Sequence, residues 1–396
     1  MNRDLGADHS AAELERILRE EPPMSPTSVS VMRTLRRTIV DYAKLIREAI
    51  DTVDPSMRCG ICACWGGYWE NGDIAHALAG TRTKPFMRVN DAAYGDQRPT
   101  TFVNDIAIAS RVIYQLDGVD EILDETDTFP QNYMSESAVM FHSHITHAML
   151  SGLAGCKLWT SEFQQPVHTG SQRRYEARLR DYAGFYEALH DLAPAIRWQG
   201  ISGHVGRPPE GYGGHPIHTE RGLHPGPWCT AIEAVYGFPL RYQGVETGGA
   251  FALRGENIDV MDDAQVEAFL SRRTIVDSFA ARKLTARGFA PLLGVEATEG
   301  GDNFHFTFEM VVESGEQEFV RHGLLPDGRE LLSVTRLSYD TDETLPLRLK
   351  RDPKMVERLS PKGKWEPVPF RRTGPLLVEV DVHVACCDTV VLRFAF

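Results

Sequence analysis

The stretch 120-DEILDETDTFPQN-132 decides how the first half of this chain is interpreted. An apolar-patterned strand is predicted at 121–127, and the acidic run that it carries breaks at Pro130. Acidic residues at the end of a strand form either a solvated rim or a catalytic carboxylate with supporting groups. The neighbouring segments determine which of these two interpretations fits.

Strand-like segments alternate with amphipathic helical segments from residue 30 to residue 200. Such alternation is typical of βα units that build a parallel sheet. Four strands are expected, each followed by a helix, and their carboxyl ends should share one edge of the sheet. The predicted strands lie near 59–64 and at 85–91, 121–127 and 156–163, and the predicted helices at 31–53, 72–80, 100–116, 136–153 and 171–192.

The rest of the chain divides into three further parts. Residues 1–205 hold the βα units, and 206–228 form a loop rich in glycine, proline and histidine. Residues 229–298 predict a smaller α/β domain with one long helix at 262–289. Residues 299–396 alternate with period two and predict an antiparallel β-domain. The fold class is therefore α/β with a terminal β-sandwich.

Composition excludes several classes of partner. The net charge of −13 argues against nucleic acid and anionic membranes, which need a basic surface. No apolar run reaches about 18 residues, and the polar N-terminus lacks the apolar core of a signal peptide, so a cytoplasmic location is expected.

Metal and cofactor sites are not predicted. The cluster 59-CGICAC-64 has no second C-x-x-C, and in a buried strand Cys59 and Cys62 would point to opposite faces. In the predicted helix carrying 142-HSHITH-147, only His144 and His147 share a face, which favours core or supporting roles. Phosphate-binding and dinucleotide-binding glycine motifs are also missing from the sequence.

The predicted strand ends carry residues suited to binding a sugar. Flat aromatic rings cover the C–H face of a sugar, polar groups bind its hydroxyls, and a carboxylate beside the anomeric carbon cleaves the glycosidic bond. These residues are Trp65, Arg88, Asn90, Asp91, Glu125, Asp127, Trp159 and Glu162.

Each candidate also has a structural interpretation. The tryptophans could cover the core, and Arg88 could be an ion-pair partner. Asp120, Glu121 and Asp124 precede or enter the strand and are expected to be solvated or structural. Glu125 ends the strand before the loop, where a carboxylate would face the mouth of a barrel.

Two motifs carry a resemblance to a known group of enzymes. The stretch 119-VDEILDETDTFPQNYMSESA-138 followed by 155-GCKLW-159 resembles strands seven and eight of retaining glycosidases with a (β/α)₈ barrel. Within this group, the stretch resembles relatives of the family-42 β-galactosidases and family-164 β-mannosidases. The segment "IEAVYGFPLRYQG…LLGVE" resembles their flavodoxin-like trimerisation domain, and "LLPDGRELLSVTRLSYD…VLRF" resembles their closing β-domain.

The resemblance implies a retaining β-glycosidase of the galactoside or mannoside class. Glu125 would be the nucleophile, Trp159 would line the sugar subsite, and no cofactor would be required. However, a barrel needs eight strands and only four are predicted, so the chain is expected to begin after strand four, where these families carry the acid/base glutamate. A non-catalytic carbohydrate-binding or assembly subunit is therefore the alternative.

The same two features predict assembly. The resemblance implies a homotrimer, whereas the missing strands imply a complementing chain or the pairing of two half-barrels. Either way, the chain is expected not to be a monomer.

Overall fold

The parallel and antiparallel parts of the fold lie in separate sheets, as the sequence predicts. None of the described helices is long and apolar enough to cross a membrane. The structure is a computed structural model that describes residues 6–20, 25–63, 68–90, 116, 118–129, 131, 136–161, 170–203, 240–241, 250–253, 258, 261–272, 274–276, 278–289, 310–312, 318–338 and 344–396.

The first sheet is parallel and follows chain order. Its strands are β1 (Ile61–Cys62), β2 (Phe86–Asn90), β3 (Glu121–Asp127) and β4 (Gly155–Trp159). Each strand pairs in parallel with the next one along the chain. The observed β3 has the bounds predicted from its alternating pattern, while β4 ends before the predicted residue 163.

Helices cover one face of this sheet. Met87, Val89 and Ile122 pack in one apolar cluster with Ala75 and Ala148 from the covering helices. Burial of this cluster on a single face fixes the register of each strand, because a slip of one residue would turn every apolar side chain over. The helices of this part are α1 (Ala11–Glu20), α2 (Pro26–Val53), α3 (Tyr68–Ala79) and α4 (Ala138–Leu150). The helix predicted at 100–116 lies outside the described residues, apart from Leu116.

The single helix predicted at 171–192 is wrong. The chain instead forms α5 (Gly170–Asp181) and α6 (Ala183–Leu192), which are separated at Tyr182, where φ is −105° and ψ is 10°. The break brings Gly184 against the backbone of Lys362, where a Cβ atom would lie only 2.8 Å from the carbonyl group. Phe185 N also donates to Pro361 O at 3.0 Å, so tertiary contacts override the helical pattern.

A second parallel sheet has a different strand order. Its strands are β6 (Ile201–Gly203), β7 (Leu240–Arg241), β8 (Ala250–Leu253) and β9 (Thr274–Val276), arranged β7-β6-β8-β9. The strand β6 therefore pairs with the segment that follows residue 229, although it lies before the predicted loop.

The single helix predicted at 262–289 is also wrong. Its residues form α7 (Asp263–Leu270), the strand β9 and α8 (Ser278–Ala286). A capping box between Asp262 and Gln265 starts α7. The β-branched run 274-TIV-276 then pairs with β8, because such residues favour an extended backbone.

The C-terminal part forms two antiparallel sheets. The strand β5 (Arg197–Gln199), which follows a 3₁₀ turn at Ala193–Ala195, is the last member of the six-stranded sheet β15-β14-β18-β12-β11-β5. The four-stranded sheet has the order β10-β13-β17-β16, and side chains of both sheets share one apolar core. The strands are β10 (Met310–Val312), β11 (Glu318–Leu324), β12 (Glu330–Arg336), β13 (Leu345–Leu349), β14 (Met355–Leu359), β15 (Trp365–Pro367), β16 (Phe370–Arg372), β17 (Leu377–Val380) and β18 (Thr389–Ala395).

Helix α4 is buried between the first parallel sheet and the six-stranded antiparallel sheet. Ser137 caps it by accepting from Met140 N at 3.0 Å. The polar side chains of α4 bond to the C-terminal part: His147 Nε2 lies 2.6 Å from Thr335 Oγ1, and Ser143 Oγ donates to Cys387 O at 2.5 Å. These contacts join residues that are 188 and 244 positions apart in the chain.

The histidines of α4 are core residues with separate polar partners. His142 Nδ1 lies 2.9 Å from the Tyr186 hydroxyl, and the His142 ring is surrounded by the rings of Tyr182, Phe185 and Tyr186. His144 faces the buried carboxylate of Glu136 at 3.0 Å. Burial lowers the pKa of His142 to about 3 and the pKa of His147 well below its usual 6.5.

The depressed pKa values predict an acid-sensitive fold. A histidine whose pKa is about 3 when folded and 6.5 when unfolded stabilises the fold fully above about pH 6.5, and this contribution is lost as pH falls towards 3. Burial raises the pKa of Asp388, which has the opposite effect. We therefore expect H142F, which suits the aromatic surroundings, to flatten the fall in stability below pH 6.5.

The measurement is the free energy of unfolding in urea between pH 7.5 and 4.5. H190F is the matched control, because the His190 side chain is 61% exposed and should leave the pH dependence unchanged. Equal slopes for H142F and the wild type would contradict the assignment of His142 as a source of acid sensitivity.

Candidate functional site

The candidate site lies on the face of the first parallel sheet that is turned away from α3 and α4, which we call the far face. Side chains alternate between the two faces of a strand. Since Met87, Val89 and Ile122 face the helices, their strand neighbours point the other way. The far face therefore carries Arg88, Glu125, Asp127, Lys157 and Trp159.

The central feature of the far face is an ion pair between neighbouring strands. A guanidinium nitrogen of Arg88 on β2 contacts Glu125 Oε2 on β3, and the two side chains are only 13% and 19% exposed. Strand register places Asn90 on one side of Glu125 and Lys157 on the other. Arg88 is therefore an ion-pair partner, as its structural interpretation expects, and the carboxylate that it pairs with is the predicted nucleophile.

The acidic run is divided between the two sides of the sheet. Asp124 is fully buried on the helix-covered face, and Thr126 Oγ1 donates to its Oδ2 at 2.7 Å. Glu121, at the start of the strand, pairs with Arg58 at 2.8 Å. The alternation of side chains along β3 therefore places Asp124 on the helix-covered face and Glu125 on the far face.

Asp127 is the second carboxylate of β3 on the far face. Gln131 Nε2 donates to Asp127 Oδ1 at 2.7 Å and to Oδ2 at 3.0 Å. Thr128 Oγ1 donates to Trp159 O at 3.2 Å and so joins the end of β3 to the end of β4. Gln131 and Thr128 were not among the predicted site residues, because their side chains reach the site through a turn that has no sequence motif.

Trp159 ends β4 next to Asp127. Its Nε1 donates to Ser161 O at 2.8 Å, and the residue is 42% exposed. This exposure, together with the strand register of Asp127 and Trp159, is compatible with stacking on a ligand beside the carboxylates.

The other predicted site residues have less structural support. Asn90 ends β2 in register with Glu125, but nothing is described of its side chain. Trp65, Asp91 and Glu162 lie outside the described residues. Within the part of the chain that the structure describes, no three histidine, cysteine, aspartate or glutamate side chains cluster as a metal site.

Comparisons with known proteins return glycoside hydrolases among solved structures. No protein-family model and no curated protein matches the sequence. A rhamnosidase from Novosphingobium sp. PP1Y is 13% identical, with 83% of this chain and 38% of that chain covered and a TM-score of 0.45. An alpha-L-fucosidase isoenzyme 2 from Paenibacillus thiaminolyticus is 10% identical, with 97% and 79% covered and a TM-score of 0.49.

A GH51 arabinofuranosidase from Xanthomonas axonopodis pv. citri is 9% identical, with 90% and 63% covered and a TM-score of 0.28. All three are glycoside hydrolases, and this chain spans 38% of the length of the rhamnosidase. At these identities and TM-scores, the likenesses assign neither a family nor an activity to this chain. The relationship to family-42 and family-164 enzymes stays a prediction.

The division of β3 into two faces predicts separate effects on stability and ligand binding. T126V keeps the shape of the side chain but removes a buried hydrogen bond to Asp124. We expect it to lower the free energy of unfolding by about 1–2 kcal/mol without changing ligand binding on the far face.

Urea denaturation measures this loss, and T38V provides the control for the same substitution, because Thr38 is an exposed residue of helix α2. An unchanged stability for T126V would contradict the structural role of the contact between Thr126 and Asp124.

Proposed function

We propose that this chain supplies the nucleophile, Glu125, for the hydrolysis of β-glycosides by a retaining two-carboxylate mechanism. The observation that carries the proposal is the Arg88–Glu125 pair on the far face, near the carboxyl ends of the central parallel strands. In parallel α/β folds, functional groups gather at this end of the strands. A guanidinium beside a carboxylate favours its ionised form, which is the form that can attack a carbon atom.

The reaction proceeds in two displacements at the anomeric carbon. In the first step, a Glu125 oxygen bonds to the anomeric carbon while the bond to the leaving oxygen breaks, and a carboxylic acid supplied by a complementing chain protonates that oxygen. In the second step, water attacks the glycosyl-enzyme, the bond to Glu125 breaks, and the conjugate carboxylate takes the proton of the water. Arg88 and Asn90 would orient Glu125 or hold hydroxyls, and Trp159 would stack on the ring.

Strand order supports a proposal for each part of the fold. The order β1-β2-β3-β4 is that of consecutive strands of a (β/α)₈ barrel, so we assign these four strands and their helices to half of such a barrel. The order β7-β6-β8-β9 is the 2-1-3-4 arrangement of flavodoxin-like sheets. Two antiparallel sheets around a shared core suit a β-sandwich.

A non-catalytic carbohydrate-binding or assembly subunit is the second candidate. It is favoured by the first parallel sheet, in which four strands are described. The resemblance places the acid/base glutamate on a strand of the other half of a barrel, and a retaining site needs that carboxyl group about 5–5.5 Å from the nucleophile. This subunit would keep the sugar-binding far face, but would cleave no glycoside without a chain that supplies the acid/base group.

Substitution of Glu125 tests the catalytic proposal. We expect E125Q to lower kcat for aryl β-galactosides and β-mannosides by at least about 10³-fold, because the amide cannot attack the anomeric carbon. The measurement is the rate of phenol release across a panel of aryl glycosides.

E121Q is the matched control, since Glu121 lies on the same strand and is paired with Arg58 at the opposite end. E121Q should keep the wild-type rate. Full activity in E125Q would exclude Glu125 as the nucleophile, whereas sugar binding without hydrolysis by the wild type would favour the second candidate.

We also propose that the chain self-associates through helix α2. The inward side of α2 packs on α3, where Arg47 Nη1 donates to Leu78 O at 3.4 Å. Its outward side carries an apolar stripe with alternating spacings of four and three residues, which is the spacing of a coiled-coil seam. The stripe consists of Leu35, Ile39, Tyr42, Ile46, Ala49 and Val53, all of which are exposed.

A second copy of the chain is the proposed partner, because the same stripe on both copies would pack against itself about a two-fold axis. Tyr42 and Val53 are 66% and 81% exposed in the single chain, and pairing would remove this apolar surface from water.

Light scattering over a range of protein concentrations tests the pairing. The wild type should have at least twice the mass of one chain, and I39K/Y42K should reduce it because two lysines disrupt the seam. L376K introduces a charge at another exposed leucine and should not change the mass. A wild-type monomer would contradict self-association, and an oligomer that resists I39K/Y42K would point instead to the trimer or complementing chain predicted from the sequence.

A further inference from the structure

Gln131 has an unusual backbone conformation at the end of the candidate site. Its φ angle is 54°, in the left-handed region that non-glycine residues seldom adopt. The turn is closed by Gln131 N, which donates to Thr128 O at 2.7 Å. Glycine or asparagine would adopt this conformation more easily than glutamine. The presence of glutamine therefore indicates that its longer side chain is needed.

The side chain of Gln131 is buried and only partly satisfied. The residue is 6% exposed, and its Nε2 donates to both oxygens of Asp127. Among the described residues, no group donates to the buried Oε1 atom of the same amide. Buried amide oxygens are normally hydrogen-bonded, so this atom indicates a donor from a ligand or a solvent molecule.

The orientation of this amide is fixed by charge. Exchanging Oε1 and Nε2 would place an acceptor oxygen against the two acceptor oxygens of the Asp127 carboxylate. Nε2 must therefore face Asp127, which leaves Oε1 as an acceptor without a donor from the described residues. The pair accordingly offers acceptor atoms and selects a ligand that donates.

The pair lies beside the proposed nucleophile. Asp127 follows Glu125 by two residues, so both carboxylates point to the far face. Strand register places Asp127 opposite Trp159, and Thr128 joins the same turn to Trp159 O at 3.2 Å. An acceptor pair, an exposed aromatic residue and an ion-paired carboxylate thus meet at one end of two neighbouring strands.

We propose that Asp127 and Gln131 bind one hydroxyl group of a pyranoside, with the hydroxyl as the hydrogen-bond donor. The proposal rests on the proposed glycosidase function and names the residues that would set its specificity. The left-handed turn at Gln131 holds the acceptor amide against Asp127, and the ligand completes the hydrogen bonding of Oε1. A ligand that lacks the hydroxyl leaves a buried acceptor without a donor and binds more weakly.

The test measures binding without turnover in the E125Q background. The probes are methyl β-galactoside and methyl β-mannoside, each with its monodeoxy and monofluoro derivatives, and the measurement is calorimetry. Fluorine keeps the polarity of the position but cannot donate. At one ring position, we expect the deoxy and fluoro derivatives both to bind roughly 10–100-fold more weakly than the parent sugar.

Q131M should remove this discrimination, because it keeps the length of the side chain but has no amide. Q172M provides the matched control at an exposed glutamine and should keep the discrimination. If Q131M does not fold, Q131N replaces it, since asparagine tolerates the left-handed turn but is too short to reach Asp127.

The possible outcomes separate this inference from the proposed function. Hydrolysis by the wild type without discrimination that depends on Gln131 would overturn the hydroxyl site alone, and would leave an ordered water as the donor to Oε1. Discrimination without hydrolysis would support the hydroxyl site and overturn the catalytic proposal alone. Failure of every sugar to bind, together with no hydrolysis by the wild type, would overturn both.

Discussion

The candidate site depends on the period-two alternation of strand β3. Packing of Met87, Val89 and Ile122 against the helices fixes which residues of the sheet are covered. Asp124 and Thr126 must then point towards the same helices, where they bond to each other, while Glu125 and Asp127 point to the far face. A slip of one residue would bury the proposed nucleophile and expose apolar side chains, so core packing and site geometry are fixed by one constraint.

Helix α4 extends this constraint to the C-terminal half of the chain. Its buried polar side chains bond to Thr335 and Cys387, while other side chains pack with the helices that cover the six-stranded sheet. The antiparallel β-domain therefore supports the helix that follows the site strand. Desolvation keeps His142 and His147 neutral and makes this contact sensitive to acid, which couples stability to protonation far from the candidate site.

Local pattern predicts the elements whose own residues determine them. The alternation in 121-EILDETD-127 predicts β3 with its observed bounds. Glu125 was expected to end this strand, but it lies two residues before the last residue, Asp127. The predictions of single helices at 171–192 and 262–289 are wrong because distant groups interrupt them. Phe185 N donates to Pro361 O, and the segment 274-TIV-276 pairs with β8. The role of Gln131 could not be predicted either, since it depends on a left-handed turn and a contact across that turn.

Covalent trapping tests the central claim most directly. A 2-deoxy-2-fluoro-glycosyl fluoride of the galactose or mannose series forms a long-lived ester with the nucleophile of a retaining glycosidase, because the fluorine slows the second step more than departure of the fluoride slows the first. Mass spectrometry of the digested protein should find one added sugar on the peptide that contains Glu125, and no addition in E125Q. An adduct on a different carboxylate, or one that persists in E125Q, would contradict the assignment of Glu125 as the nucleophile.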